Sequence, residues 1–281
     1  MNGIVGLLRL TSFLAFAFVL TLLPQGLWAA ALAANLRTGI SVPWSAPVAV
    51  IGIFICWRWA GGQWPWPNSE QARMHRRAHA ISFPALVWAL IANAFSLGSL
   101  AALWVTLHQM FPFPARSAPD FSPYPLGVTF AILGAAALVG ALSEEVGFRG
   151  YIQGRLEGIV PWPLAIVLMA LIASPAHAFT QGFAWTTMLF YFLTDAAFGL
   201  TARLTNSILP GIVAHAAGLF VFFLLIWPHD QARSPPPFAS TEFRVEIGAF
   251  LVFGALAIWA FLRLARTSRN PIVSKNRAAK V

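Results

Sequence analysis

The string Ser143-Glu144-Glu145-Val146-Gly147-Phe148-Arg149-Gly150 sets two acids and a base at the end of a long apolar run, and His177 and His215 follow in separate apolar runs. An ionised side chain at the centre of a bilayer costs about 2.5–3.5 kcal/mol on insertion scales, so each such group in apolar sequence calls for a chemical reason. On a helix Glu145 and Arg149 are four apart and share a face, with the acid on the N-terminal side as a favourable pair requires. Glu144 is turned about 100° from Glu145 at about 3.6 residues per turn. The spacing predicts a division of labour. Glu145 neutralises and positions Arg149, while Glu144 faces a cavity and takes a proton from water, the work of a general base.

Each residue also has a purely structural reading. Glu144, Glu145 and Arg149 would end the fourth apolar run at the membrane interface, and His177, two residues after Pro175, would bond a carbonyl freed by the proline. Asp195 would pair with a polar group or with Arg203. His215 resists such a reading, because Ile212-Val213-Ala214 precede it and Ala216-Ala217-Gly218 follow it, small residues suited to close helix packing.

The elements that position these groups follow from composition. The 281 residues are 58% hydrophobic and 10% charged, and the mean hydropathy of +0.71 excludes an ordinary soluble domain. The formal charge of +9 does not point to nucleic acid, because the Lys and Arg gather in short segments between apolar runs. Cys56 is the one cysteine and lies within an apolar run, so neither a disulfide framework nor a thiolate metal site can be built.

A helix needs roughly 20 mostly apolar residues to cross the hydrocarbon core. By that measure about eight spans are predicted, at residues 3–23 (continuing as far as 34), 42–60, 83–108, 126–148, 163–177, 183–204, 208–227 and 245–264. The fold class is an all-α, polytopic transmembrane helix bundle. Trp57, Arg58 and Trp59 form an interfacial anchor, and the Pro-rich breaks at 112–125 and 235–237 favour extended backbone.

Arg73, His75, Arg76, Arg77 and His79 crowd one polar segment, and Arg263, Arg266, Arg269, Lys275, Arg277 and Lys280 crowd the tail. Both are predicted to be cytoplasmic, with both termini inside a multi-pass protein of the cell membrane. The alternate loops then carry isolated bases such as Arg37, Arg116 and Arg233. A competing reading of the N-terminus is a signal peptide, from Arg9, an apolar stretch and the small residues at 29–34.

Glu144-Glu145-x-x-x-Arg149, with one histidine about thirty residues on and another about forty beyond it, resembles the CAAX protease and bacteriocin-processing family of intramembrane proteases. That family takes in type II CAAX prenyl endopeptidases and abortive-infection proteins. Gly150-Tyr151 and Arg155-Leu156 continue the first motif, and Phe198-Gly199-Leu200, Arg203, Asn206-Ser207-Ile208 and Ile212 resemble the approach to the last histidine. The resemblance covers residues 126–223, which it marks as the catalytic core; residues 1–125 hold N-terminal spans and loops, and 224–281 hold the last span and a basic tail.

Two positions depart from the family. Ala173 stands where an aromatic residue usually precedes the second motif's histidine, and Leu219 stands where Asn or a similar polar residue usually follows the last one. In the mechanism the resemblance implies, that amide helps hold the oxyanion, and loss of one such donor typically lowers the rate about 10²–10³-fold.

The resemblance implies an intramembrane endopeptidase acting on a membrane-associated protein or peptide within the lipid bilayer, with catalytic residues Glu144, Glu145, Arg149, His177 and His215 and no cofactor. Glu144, assisted by His177, activates water; Glu145 and Arg149 hold the helix end; His215 stabilises the oxyanion. Three alternatives stand beside it. Glu144, His177 and His215 are a donor set for catalytic zinc, although without the compact spacing of a helical site. A non-catalytic scaffold or immunity factor of the same fold is motivated by Leu219. A proton-coupled transporter would use the same acids and histidines, but the sequence has no internal repeat.

Overall fold

A computed structural model describes residues 2–38, 42–60, 77–111, 120–122, 124–228 and 240–268. Eight helices occupy the predicted positions: α1 (Asn2–Arg37), α2 (Ser45–Ala60), α3 (Phe83–Met110), α4 (Leu126–Glu144), α5 (Trp162–Gln181), α6 (Trp185–Thr205), α7 (Leu209–Val221) and α8 (Thr241–Ser268). No strand occurs among the described residues. Arg73, His75, Arg76, Arg116, Arg233 and the basic tail from Arg269 onward lie outside them, as do most of the Pro-rich breaks and the side chains of Arg9, Cys56 and Trp59.

Among the described residues five stretches are long and apolar enough to cross a membrane: Thr11–Arg37, Phe83–Met110, Leu126–Leu156, Leu209–Ile226 and Thr241–Ser268. α2 and α5 contribute the shorter apolar stretches Ser45–Ile55 and Trp162–His177. α6 is built differently, because it buries Thr186, Thr187, Asp195 and Thr201 within the bundle. The protein is a multi-pass membrane protein whose apolar residues point outward as well as inward. Val50, Ile51 and Phe54 on α2 and Leu251, Val252, Ile258 and Leu262 on α8 are exposed on the surface of the bundle, as lipid requires.

α3 and α8 form one intimate pair and α5 and α6 another, while α4 is central and packs on α1, α2 and α7. Between α3 and α8, Ser99 donates to the Phe250 carbonyl at 2.9 Å and Trp88 meets Trp259 edge-on. Arg263 lies over the Trp88 ring at 5.3 Å, a long basic side chain on an aromatic face.

The fourth run does not end where the sequence predicted. After Glu144 the helix continues as a π-helical stretch, Glu145–Gln153, and a last turn, Gly154–Leu156. The i→i+5 bonding of a π segment widens the helix and resets the directions of the side chains that follow, and such segments gather at functional sites. Glycine at 147 permits α1 to press against it, since a Cβ there would collide with Thr21.

Candidate active site

Both acids and Arg149 point into the bundle, so they do not form a solvated helix end: Glu145 and Arg149 are 0% exposed and Glu144 is 5%. Glu144 Oε2 lies 3.6 Å from His177 Nε2 on α5 and 3.5 Å from His215 Nε2 on α7. The other ring nitrogen of His215, Nδ1, is 3.1 Å from Glu145 Oε1. One imidazole therefore bridges the two carboxylates. Nδ1 is thus engaged by Glu145, and Nε2 faces Glu144 and the cavity.

Glycine at 211 allows this approach, because a Cβ on that turn of α7 would sit 2.5 Å from Glu145 Oε2. The expected pair of Glu145 and Arg149 is present at 3.4 Å, but the shorter contact of Arg149 runs from Nη2 to Asp195 Oδ1 on α6 at 2.6 Å. Asp195 thus pairs with Arg149 and not with Arg203, which is bonded to Glu157 at 3.2 Å. Asp195 Oδ2 also lies 3.8 Å from His177 Nε2. The sequence left Asp195 between a structural pairing and a catalytic role, and nothing in its own span indicated Arg149 as its partner.

Aromatic faces hold both imidazoles. His177 stacks on Tyr191 with centroids 4.1 Å apart and an 8° interplanar angle, and His215 stacks on Phe198 at 4.5 Å. Phe198 also lies under the Arg149 guanidinium at 5.4 Å. Ala173, where the family pattern has an aromatic, is fully buried against Phe148 and Met169 in the core between α4 and α5. The aromatic support of His177 comes instead from Tyr191, one helix away. Nothing in the spacing of the motifs announced that exchange.

Glu144, His177, Asp195 and His215 line a cavity of about 450 Å³, walled by Leu22, Gln25, Gly140, Tyr191, Phe198 and Leu219. A larger apolar cavity of about 660 Å³, lined by Leu32, Leu36, Arg37, Phe121, Leu133 and Leu224, shares Trp28, Ala29, Ala136, Phe223 and Trp227 with it. The site thus has a polar floor and an apolar antechamber. Several of its polar atoms have no hydrogen-bond partner: Glu144 Oε2, Glu145 Oε2, Asp195 Oδ2, and Nε and Nη1 of Arg149.

The five side chains singled out in the sequence are brought together from three helices, with Asp195 from a fourth, around one carboxylate oxygen that faces a cavity. Residues 126–221 match the family model described as type II CAAX prenyl endopeptidase, Rce1-like. No curated protein and no solved structure matched the chain. The Rce1-like segment runs from the start of α4 to the end of α7, and all six charged or imidazole groups of the cluster fall within it. The resemblance read from Glu144-Glu145-x-x-x-Arg149 and the two histidines is upheld over that segment.

Leu219 lies in the cavity wall one turn after His215, with its Cδ1 3.1 Å from where a Cβ on Gly140 would stand. It offers no donor there. Among the described residues no group of three or more His, Cys, Asp or Glu side chains is arranged to hold a metal ion.

Proposed function

We propose that this protein is an intramembrane endopeptidase that cleaves a membrane-associated protein or peptide with water activated by Glu144. The observation that carries the reading is Glu144 Oε2, buried, without a hydrogen-bond donor, facing a cavity and flanked by two imidazoles at 3.5 and 3.6 Å. A water between these groups loses a proton to Oε2 as its oxygen bonds to the peptide carbonyl carbon. The carbonyl oxygen becomes an oxyanion, to which His215 donates from Nε2 when that nitrogen carries a proton. When the tetrahedral carbon collapses, the C–N bond breaks and the proton held by Glu144 passes to the departing amine. His177 orients the water; Glu145 holds His215 through Nδ1; Arg149 balances Glu145 and Asp195. Nothing in this sequence of steps requires a metal, and dialysis against a chelator is expected to leave the rate unchanged.

The apolar antechamber favours a substrate that arrives from the bilayer with a hydrocarbon chain or an apolar segment. The basic segments around residue 77 and at the C-terminal end favour an orientation with both termini in the cytoplasm. The direct test is to incubate the detergent-purified protein with a membrane-protein extract and with an internally quenched prenylated peptide, following new N-termini by mass spectrometry. Wild type is expected to cleave and Glu144→Ala to be inactive; equal cleavage by both would remove the proposal.

One observation favours a second reading. Leu219 closes with an apolar side chain the position from which an oxyanion donor is expected, and a scaffold or immunity factor would use the same cavity to seat a peptide or partner helix without cleaving it. Under that reading Glu144→Ala and His215→Ala leave the biological function intact.

A further inference from the structure

Gln25, on α1, lies outside the matched segment and more than a hundred residues from the motifs, yet its amide reaches the base. Its Nε2 is 3.0 Å from Ser143 Oγ and 3.2 Å from Glu144 Oε1. The chemistry of these partners fixes which end of the amide faces them. The Ser143 hydroxyl proton is turned back to its own helix, toward Val139 O at 2.8 Å and Gly140 O at 3.0 Å, so Oγ offers Gln25 only lone pairs. An ionised Glu144 likewise only accepts. Both amide hydrogens are therefore used, one on each oxygen, and the amide is held at two points.

The consequence falls on Glu144. With Oε1 engaged by Gln25, the carboxylate cannot rotate freely about its last torsion. Oε2, the oxygen without a donor, is the one left between His177 and His215. Glu144 has no partner on its own helix that could do this, since Arg149 is taken by Glu145 and Asp195. Leu219, across the same cavity, has no donor to give.

We propose that Gln25 is a positioning residue of this site: its amide holds Oε1 of Glu144 so that Oε2 is the oxygen that receives the proton of water. The proposal rests on the hydrolase reading above. It also implies that the working site extends beyond the Rce1-like segment and includes α1.

Three variants of the full chain in detergent separate hydrogen bonding from packing. Gln25→Met keeps the length and loses the donor, Gln25→Glu keeps the shape and loses the donor when ionised, and Gln25→Asn keeps the donor on a shorter arm. With the quenched prenylated peptide, kcat is expected to fall about tenfold in Gln25→Met and Gln25→Glu with KM within about twofold, and Gln25→Asn is expected to retain more activity than either. A side chain that only filled space would reverse that order, with Gln25→Met near wild type and Gln25→Asn the poorest. A second measurement does not depend on turnover. The infrared carboxylate band assigned to Glu144 by its loss in Glu144→Gln is expected to shift in Gln25→Met. An unshifted band together with unchanged kcat in Gln25→Met and Gln25→Glu would overturn the role of Gln25. Were Glu144→Gln to cleave as fast as wild type, the hydrolase reading would fall instead, and the infrared comparison would still decide whether Gln25 holds Glu144.

Discussion

Glu144 at the end of α4 and Glu157, just past the last turn of its continuation, have side chains that are almost equally hidden, at 7% and 6% exposure. Their surroundings differ in what each oxygen meets. Glu157 Oε1 accepts from Gln153 Nε2 at 2.8 Å and Arg77 Nη1 at 3.3 Å, and Oε2 accepts from Arg77 Nη2 and from Arg203 Nη1. Gln153 also donates to the Gly199 carbonyl, and the Arg77 carbonyl accepts from Ile208 N, so this network ties the segment before α3 to α4, α6 and α7. Every carboxylate lone pair of Glu157 has a donor. Glu144 has one oxygen held and one left open to a cavity. Burial therefore does not separate these two acids; the oxygen left facing a cavity does. An open polar group in low dielectric is costly unless something is bound or transformed there, whereas the four donors on Glu157 join elements.

Five variants test the contrast. Glu144→Gln should show the largest effect, lowering peptide cleavage about 10²–10⁴-fold with little change in thermal unfolding, whereas Glu157→Gln assayed beside it should cleave at near the wild-type rate per folded molecule. If the two lose activity alike, the distinction between open and closed acids fails. Glu157→Ala should instead be a stability variant. It leaves Arg77, itself 8% exposed, buried without a counter-charge, and loss of one partner of a buried pair is worth about 3–5 kcal/mol, to be read by denaturant unfolding in mixed micelles. Asp195→Asn should fall between the classes, with a rate about tenfold lower, because the ion pair with Arg149 is reduced to a bond from the guanidinium to an amide oxygen and the site's charge balance shifts. Arg203→Ala should be the mildest. Its side chain is 44% exposed, and an ion pair of that kind is worth about 0–1 kcal/mol, so unfolding and cleavage should both stay close to wild type.

Much of the architecture was legible in the residues because the solvent is simple. Lipid demands long apolar helices, so runs such as 83–108 and 245–264 appeared as α3 and α8 within a few residues. The place where that logic misled is the end of the fourth run. Charged residues after 143 look like an interfacial terminus, and in a bundle with no internal partners they would be one. Here the partners exist on α5, α6 and α7, and the helix runs on through the π segment to Leu156.

The sequence alone determined the membrane bundle and the identity of Glu144, Glu145, Arg149, His177 and His215 as a group, because ionisable side chains in apolar runs are too expensive to be idle and their order resembles one family's. It could not determine how they are wired. That Arg149 turns to Asp195, that His215 bridges both acids, that Tyr191 stands in for the aromatic missing at Ala173, and that Gln25 on α1 holds Oε1 of Glu144 are contacts between helices distant in the chain. Their geometry depends on a local change from α to π register and on glycines at 147 and 211 that admit neighbouring helices, and only the packed structure decides which side chains then meet.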